Sequence, residues 1–211
     1  MSSGAGEGGS GRSTTQLVVV DMQNVFAEAG SAWRTPRFEQ IVEPVARLVA
    51  AYTPDAVFTR FVAPARPRGA WAPYYADWPF ALQPPQHPMW QLVAQLADAA
   101  ARVRGHDAAG GVVTKATFSK WGPELARLIG PEGRMVLAGV STDCCVLSTA
   151  LAAADAGAEV WVVPEACAGV DDASHAKALH VMSLYAPLVK VVPLAQALAS
   201  APRAPGGIAA G

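Results

Sequence analysis

Six short apolar runs, separated by longer stretches of helical periodicity, constrain this chain more than any other feature. Gln16 to Asp21 (QLVVVD) is continuous and β-branched, the pattern of a parallel strand buried on both faces. Strand patterns follow at Ala56 to Phe61, Gly111 to Thr114, Arg134 to Gly139, Glu159 to Val163 and Val189 to Val192. Between them, helical spacing is read at 38–52, 90–103, 123–129, 144–156 and 173–185. Strands alternating with helices predict a doubly wound α/β fold, with a six-stranded, mainly parallel sheet and helices on both faces. The expected strand order is 3-2-1-4-5-6.

The 211 residues fit one domain with a real core, and 52% hydrophobic against 16% charged residues favours a globular chain. The single domain is expected over 16–200, with flexible Gly/Ser- or Gly/Ala/Pro-rich tails at 1–15 and 201–211. The formal net charge is −1 and no basic stripe appears, which argues against a nucleic-acid partner. No apolar run has bilayer length and the amino terminus has no signal-like core, so the expectation is a cytoplasmic protein without a membrane partner. Three cysteines, two of them adjacent, make a poor disulfide framework.

In such sheets ligands bind beyond the carboxyl ends of the strands, where the order reverses. Asp21 ends the first strand, Lys115 ends the third, and Ser141 to Cys145 follow the fourth. A carboxylate, an ammonium and a thiol at a helix start are thereby expected to converge. The first strand turn has no glycine fingerprint and no Walker loop is present, so no nucleotide cofactor is expected.

Four motifs then carry a resemblance: VVVDMQNVF (18–26), VFTRF (57–61), VTKATFSKW (113–121) and GVSTDCCVLSTALAAADAGAEVWVVPEACAG (139–169). In this order they resemble the isochorismatase-like cysteine hydrolases, which include nicotinamidases and N-carbamoylsarcosine amidase. The resemblance implies Asp21 as general base, Lys115 as its lysine and Cys145, not Cys144, as nucleophile. It also implies a cis peptide at Val140–Ser141, with backbone N–H groups of Ser141 and Cys145 forming an oxyanion hole. The helix dipole and Lys115 are expected to lower the Cys145 pKa, and Thr142 or Asp143 suits the cap. Cys144 and Cys167 are read as packing residues.

The implied activity is hydrolysis of an amide, ureido or carbamoyl C–N bond of a small molecule, through a thioester. Isochorismatase-type vinyl ether hydrolysis, which needs no thiol, and a non-catalytic binding role are the alternatives. Nicotinamidases carry a histidine-containing metal motif after the second strand. Here that stretch reads Thr59-Arg60-Phe61-Val62-Ala63-Pro64, so no metal is expected. Phe26, Arg60, Trp71, Tyr75, Trp78 and Trp121 are the candidate substrate contacts. The aperiodic, aromatic 66–89 stretch is a candidate lid or interface, and the resemblance implies a homo-oligomer, a dimer or tetramer.

Overall fold

The computed structural model describes residues 15–54, 56–103 and 112–202. The expected tails therefore fall almost wholly outside the described residues. Six strands form one sheet: β1 (Thr15–Val20), β2 (Ala56–Phe61), β3 (Val112–Lys115), β4 (Arg134–Val140), β5 (Glu159–Ala168) and β6 (Val189–Val191). Their order is β3-β2-β1-β4-β5-β6, and every pairing is parallel.

Among the described residues there are eight α-helices: α1 (Asn24–Ala27), α2 (Phe38–Tyr52), α3 (Trp71–Asp77), α4 (Ala94–Arg102), α5 (Pro123–Ile129), α6 (Leu147–Asp155), α7 (Asp172–Ser183) and α8 (Leu194–Ala199). Side chains of a strand alternate between faces. Accordingly Leu17 and Val19 of β1 join the core under α2 and α4, while Val18 and Val20 join the core under α5 and α6. Burying one such side chain contributes about 1.5–3 kcal/mol. The central strand is therefore fixed from both sides, and its last residue cannot shift.

Two strand ends matter most for the site. Gly139 has φ +115°, and a Cβ there would lie 2.1 Å from the Val20 carbonyl oxygen. Only glycine lets β4 approach β1 this closely, just where both strands deliver their polar residues. The β5 strand runs five residues beyond the expected Val163. A register irregularity between Leu137 and Gly139 accommodates Pro164, and pairing resumes as Gly139 with Cys167 and Val140 with Ala168. The expected helix over 90–103 begins only at Ala94, because Pro88–Trp90 forms a separate 3-10 turn. Pro88 seats that turn, and its last residue, Trp90, is buried.

At the opposite end of the sheet, Glu159 of β5 accepts hydrogen bonds from Arg134 of β4 at 2.9 Å and Lys190 of β6 at 2.7 Å, and from the Trp161 indole at 2.9 Å. Partial burial acts to raise its pKa, but these donors outweigh it and hold the carboxyl down at about 2, from 4.5. A depressed carboxyl stabilises the fold above its unfolded pKa and loses that contribution as pH falls through the folded value. Glu159→Gln is therefore expected to lower the melting temperature at pH 7. The gap between variant and wild type should close as pH is taken from 4.5 toward 2, measured by thermal unfolding monitored by circular dichroism.

Candidate active site

The first strand ends in Asp21, which adopts φ +50°, a left-handed conformation that Asp tolerates better than most residues. The side chain is completely buried. Its Oδ1 accepts a 2.7 Å hydrogen bond from the Thr59 hydroxyl of β2, and its backbone N–H donates back to Thr59 Oγ1 at 3.2 Å. The cation beside it is Lys120, whose Nζ lies 2.9 Å from Oδ2, with both side chains 0% exposed. That contact is poorly angled for a hydrogen bond, so Oδ2 keeps no aligned donor among the described residues. Lys120 Nζ donates instead to the Thr117 carbonyl at 2.9 Å and sits 4.9 Å from the Phe61 ring centre.

Lys115 is thus not the lysine beside Asp21. It ends β3 and pairs with Glu124 of α5, partly in solvent. Strand alternation turns Lys115 toward α5, whereas the loop after β3 folds back and carries Lys120 inward. The motif VTKATFSKW holds both lysines, and spacing along it did not discriminate them. The apolar burial of the second was the missing signal.

Cys145 follows β4 in a π-helical turn, Thr142–Val146, that runs directly into α6. The Val140–Ser141 peptide is cis. Ser141 holds the cap position without a side-chain cap bond. Thr142 bonds His175 Nδ1 of α7 at 2.9 Å, and Asp143 Oδ1 accepts from the Val170 N–H at 2.9 Å. A Cβ at Gly169 would fall 2.6 Å from that Asp143 oxygen, so the loop after β5 closes on the turn only through a glycine. Neither Thr142 nor Asp143 caps the helix as expected; both tie it to its neighbours.

Thr149, one turn further on and fully buried, donates to the Cys145 carbonyl at 2.6 Å and accepts from the Lys120 backbone N–H at 2.8 Å. One hydroxyl thereby locks the cysteine turn to the lysine loop. Sequence reading overlooked it, because a Thr inside an alanine-rich helix gives no local sign of bridging.

The expected lowering of the Cys145 pKa is reversed. A hydrogen bond with Cys144, burial and the nearby Asp21 charge push its thiol well above the usual range, against the pull of Lys120. Cys144 is pushed down by that same hydrogen bond. The resting Cys145 is therefore a neutral thiol that feels the Asp21 charge.

Above the sulfur opens a cavity of about 350 Å³, whose walls include Phe26, Trp33, Phe61, Tyr74, Trp78 and Phe118. Trp33 is the hub of this wall: its ring stacks on Phe26 at 6.3 Å and meets Phe61 at 5.8 Å and Trp78 at 6.1 Å edge-on. Burial, then the Cys144 and Cys145 sulfurs, push the Tyr74 phenol up to about 12, so it stays a neutral hydroxyl. Gln23 holds the wall in place, donating to the Phe61 and Trp90 carbonyls and accepting from the Phe61 N–H.

Of the expected contacts, Phe26 and Trp78 line this cavity. Arg60 does not; it reaches Thr114 and lines a separate hollow at the sheet edge. Tyr75 is 2% exposed and packs in the core against Trp71, which itself sits behind Tyr74 and Phe118. Trp121 packs on the core under α5 and α6. The 66–89 stretch folds over the site and contributes Tyr74 and Trp78 to its wall.

A β-sheet switch point that buries a carboxylate–ammonium pair beneath a thiol defines an α/β enzyme with a cysteine in its pocket. The chain belongs to the isochorismatase family of hydrolases: the Isochorismatase domain model matches residues 15–195. Its fold is similar to that of a cysteine hydrolase from Pseudomonas syringae pv. phaseolicola 1448A (TM-score 0.71, 18% identity, covering 88% of this chain and 91% of that one). It is similar also to the nicotinamidase/pyrazinamidase PncA of Bacillus subtilis (TM-score 0.66, 22% identity, 85% and 99%). A third similar structure is the pyrazinamidase of Pyrococcus horikoshii in complex with zinc (TM-score 0.63, 23% identity, 85% and 98%). No protein with a curated description matches the sequence significantly. Among the described residues of this chain no three His, Cys, Asp or Glu side chains gather as metal donors. The residues after β2 are Val62, Ala63 and Pro64, which do not fit a metal. No described helix is long and apolar enough to cross a membrane.

Two substitutions separate the lysines. Lys120→Met strands a buried Asp21 charge and is expected to cost about 3–5 kcal/mol of stability. Lys115→Met removes a partly solvated pair and should cost at most about 1 kcal/mol; denaturant titration of both variants checks this. Thr149→Val keeps the shape but breaks both of its bonds. It is expected to lower kcat roughly tenfold or more through misplacement of the sulfur, with little change in KM. Thr149→Ser should restore the rate, read by steady-state kinetics on whichever substrate the protein turns over.

Proposed function

We propose that this protein hydrolyses a C–N bond of a small amide, ureido or carbamoyl compound, with Cys145 as nucleophile and Asp21 as general base. The observation that carries this reading is the pair of buried groups at the pocket floor: an Asp21 oxygen with no aligned donor, and a neutral thiol whose pKa responds to the Asp21 charge. Lys120 places its ammonium 2.9 Å from Asp21 Oδ2. As the sulfur attacks the substrate carbonyl, the thiol proton passes to Asp21 Oδ2. Backbone N–H groups of Ser141, which precedes the turn, and Cys145, within it, stabilise the tetrahedral oxyanion. Asp21 then returns the proton to the leaving nitrogen, and water attacks the thioester to release the acid. A neutral resting thiol suits this sequence, because the proton leaves only when a carbonyl is in place to accept the sulfur.

Ammonia release should be measured for purified protein across primary amides, ureido acids and carbamoyl compounds, with Cys145→Ala and Asp21→Asn alongside. The expected result is release by wild type that falls by at least about 10³-fold in either variant. Turnover of isochorismate that survives Cys145→Ala, with no ammonia from any amide, would show acid-catalysed vinyl ether hydrolysis instead and sink the thioester route.

A further inference from the structure

We infer that Arg34 is a specificity-determining residue, and that the substrate carries a carboxylate beside a flat apolar body; this rests on the amidase reading of the same pocket. Arg34 lies between α1 and α2, immediately after the hub Trp33, and it lines the cavity that contains Cys145. Three residues on, Arg37 is paired with Asp172. Arg34, by contrast, has no carboxylate partner among the described residues.

Neither of the two carboxylates at the cavity pairs with Arg34. Asp21 below the floor is neutralised by Lys120, and Asp143 spends Oδ1 on the Val170 N–H. Arg34 is thus the cation in the wall left open to a ligand. A guanidinium binds a carboxylate through two parallel hydrogen bonds, which fixes orientation as well as charge. The rest of the wall is aromatic, with Phe26, Trp33, Phe61, Trp78 and Phe118 offering ring faces and edges to a planar group. An acid held at Arg34 at the outer wall, with its ring along Trp33, points its other end toward the sulfur. The scissile carbonyl belongs at that inner end.

The test uses matched pairs that differ only in charge: 3- and 4-carbamoylbenzoate against their methyl esters. Full-length wild type is compared with Arg34→Gln and Arg34→Lys, each first shown to melt as wild type does. Ammonia release gives kcat/KM, and quenching of tryptophan fluorescence gives Kd for the same four compounds. Wild type is expected to favour at least one acid over its ester by about tenfold. Arg34→Gln should bring that ratio to near one, and Arg34→Lys should retain part of it. Equal handling of acid and ester by wild type, binding of neither, or a preference that survives Arg34→Gln overturns the assignment. Acid-selective binding that depends on Arg34, without ammonia release from any amide, leaves Arg34 its role and removes the amidase reading instead.

Discussion

The Asp21–Lys120 pair is the constraint around which the rest of the site is built. Two opposite charges with no solvent contact cost several kcal/mol each to desolvate, and their attraction offsets this only with good supporting bonds. Those supports are specific. Thr59 on β2 serves the carboxylate, while the Thr117 carbonyl and the Phe61 ring serve the ammonium. Thr59 and Phe61 come from β2 and Thr117 from the loop after β3. The pair therefore ties β1, β2 and the loop after β3 into one polar knot at the carboxyl edge of the sheet.

The cysteine turn is held to that knot by hydroxyls rather than by packing alone. Thr149 joins the Cys145 carbonyl to the Lys120 backbone, and Thr142 joins the turn to His175 on α7. Close approach of β4 to β1 at Gly139, and of the loop after β5 to Asp143 at Gly169, removes the space in which the turn could rotate. Geometry at such a site is governed by bonds a few residues away from the reacting atoms, and Thr142 and Thr149 hold the turn without lining the cavity themselves.

The aromatic stretch after β2 plays the complementary part. It is built of short helical turns, and its rings interlock through Trp33 and Phe61 with rings from elsewhere in the chain. A wall of edge-on aromatic contacts is stiff, excludes water and leaves a flat apolar slot above the thiol. Among the described residues, Arg34 is the cation of the cavity wall without a carboxylate partner.

The strand runs and helical periods made the α/β class, the six strands and even their order legible from the sequence, because each buried strand had to be apolar along its whole length. The positions of Asp21 and of the adjacent cysteines after β1 and β4 were legible too, while the choice of Cys145 over Cys144 rested on the family resemblance. The choice between Lys115 and Lys120 was not legible, because both follow β3 and only the fold of the loop decides which one is buried. Trp33 and Thr149 were equally invisible: each acts through partners distant in sequence. The direction of the Cys145 pKa also needed the tertiary structure. A helix start and a lysine argue for a thiolate, whereas burial, Cys144 and the Asp21 charge together favour the thiol. Local pattern thus determined which elements form and which residues end them. Packing decided which charges lose their water, and at this site loss of water sets the chemistry.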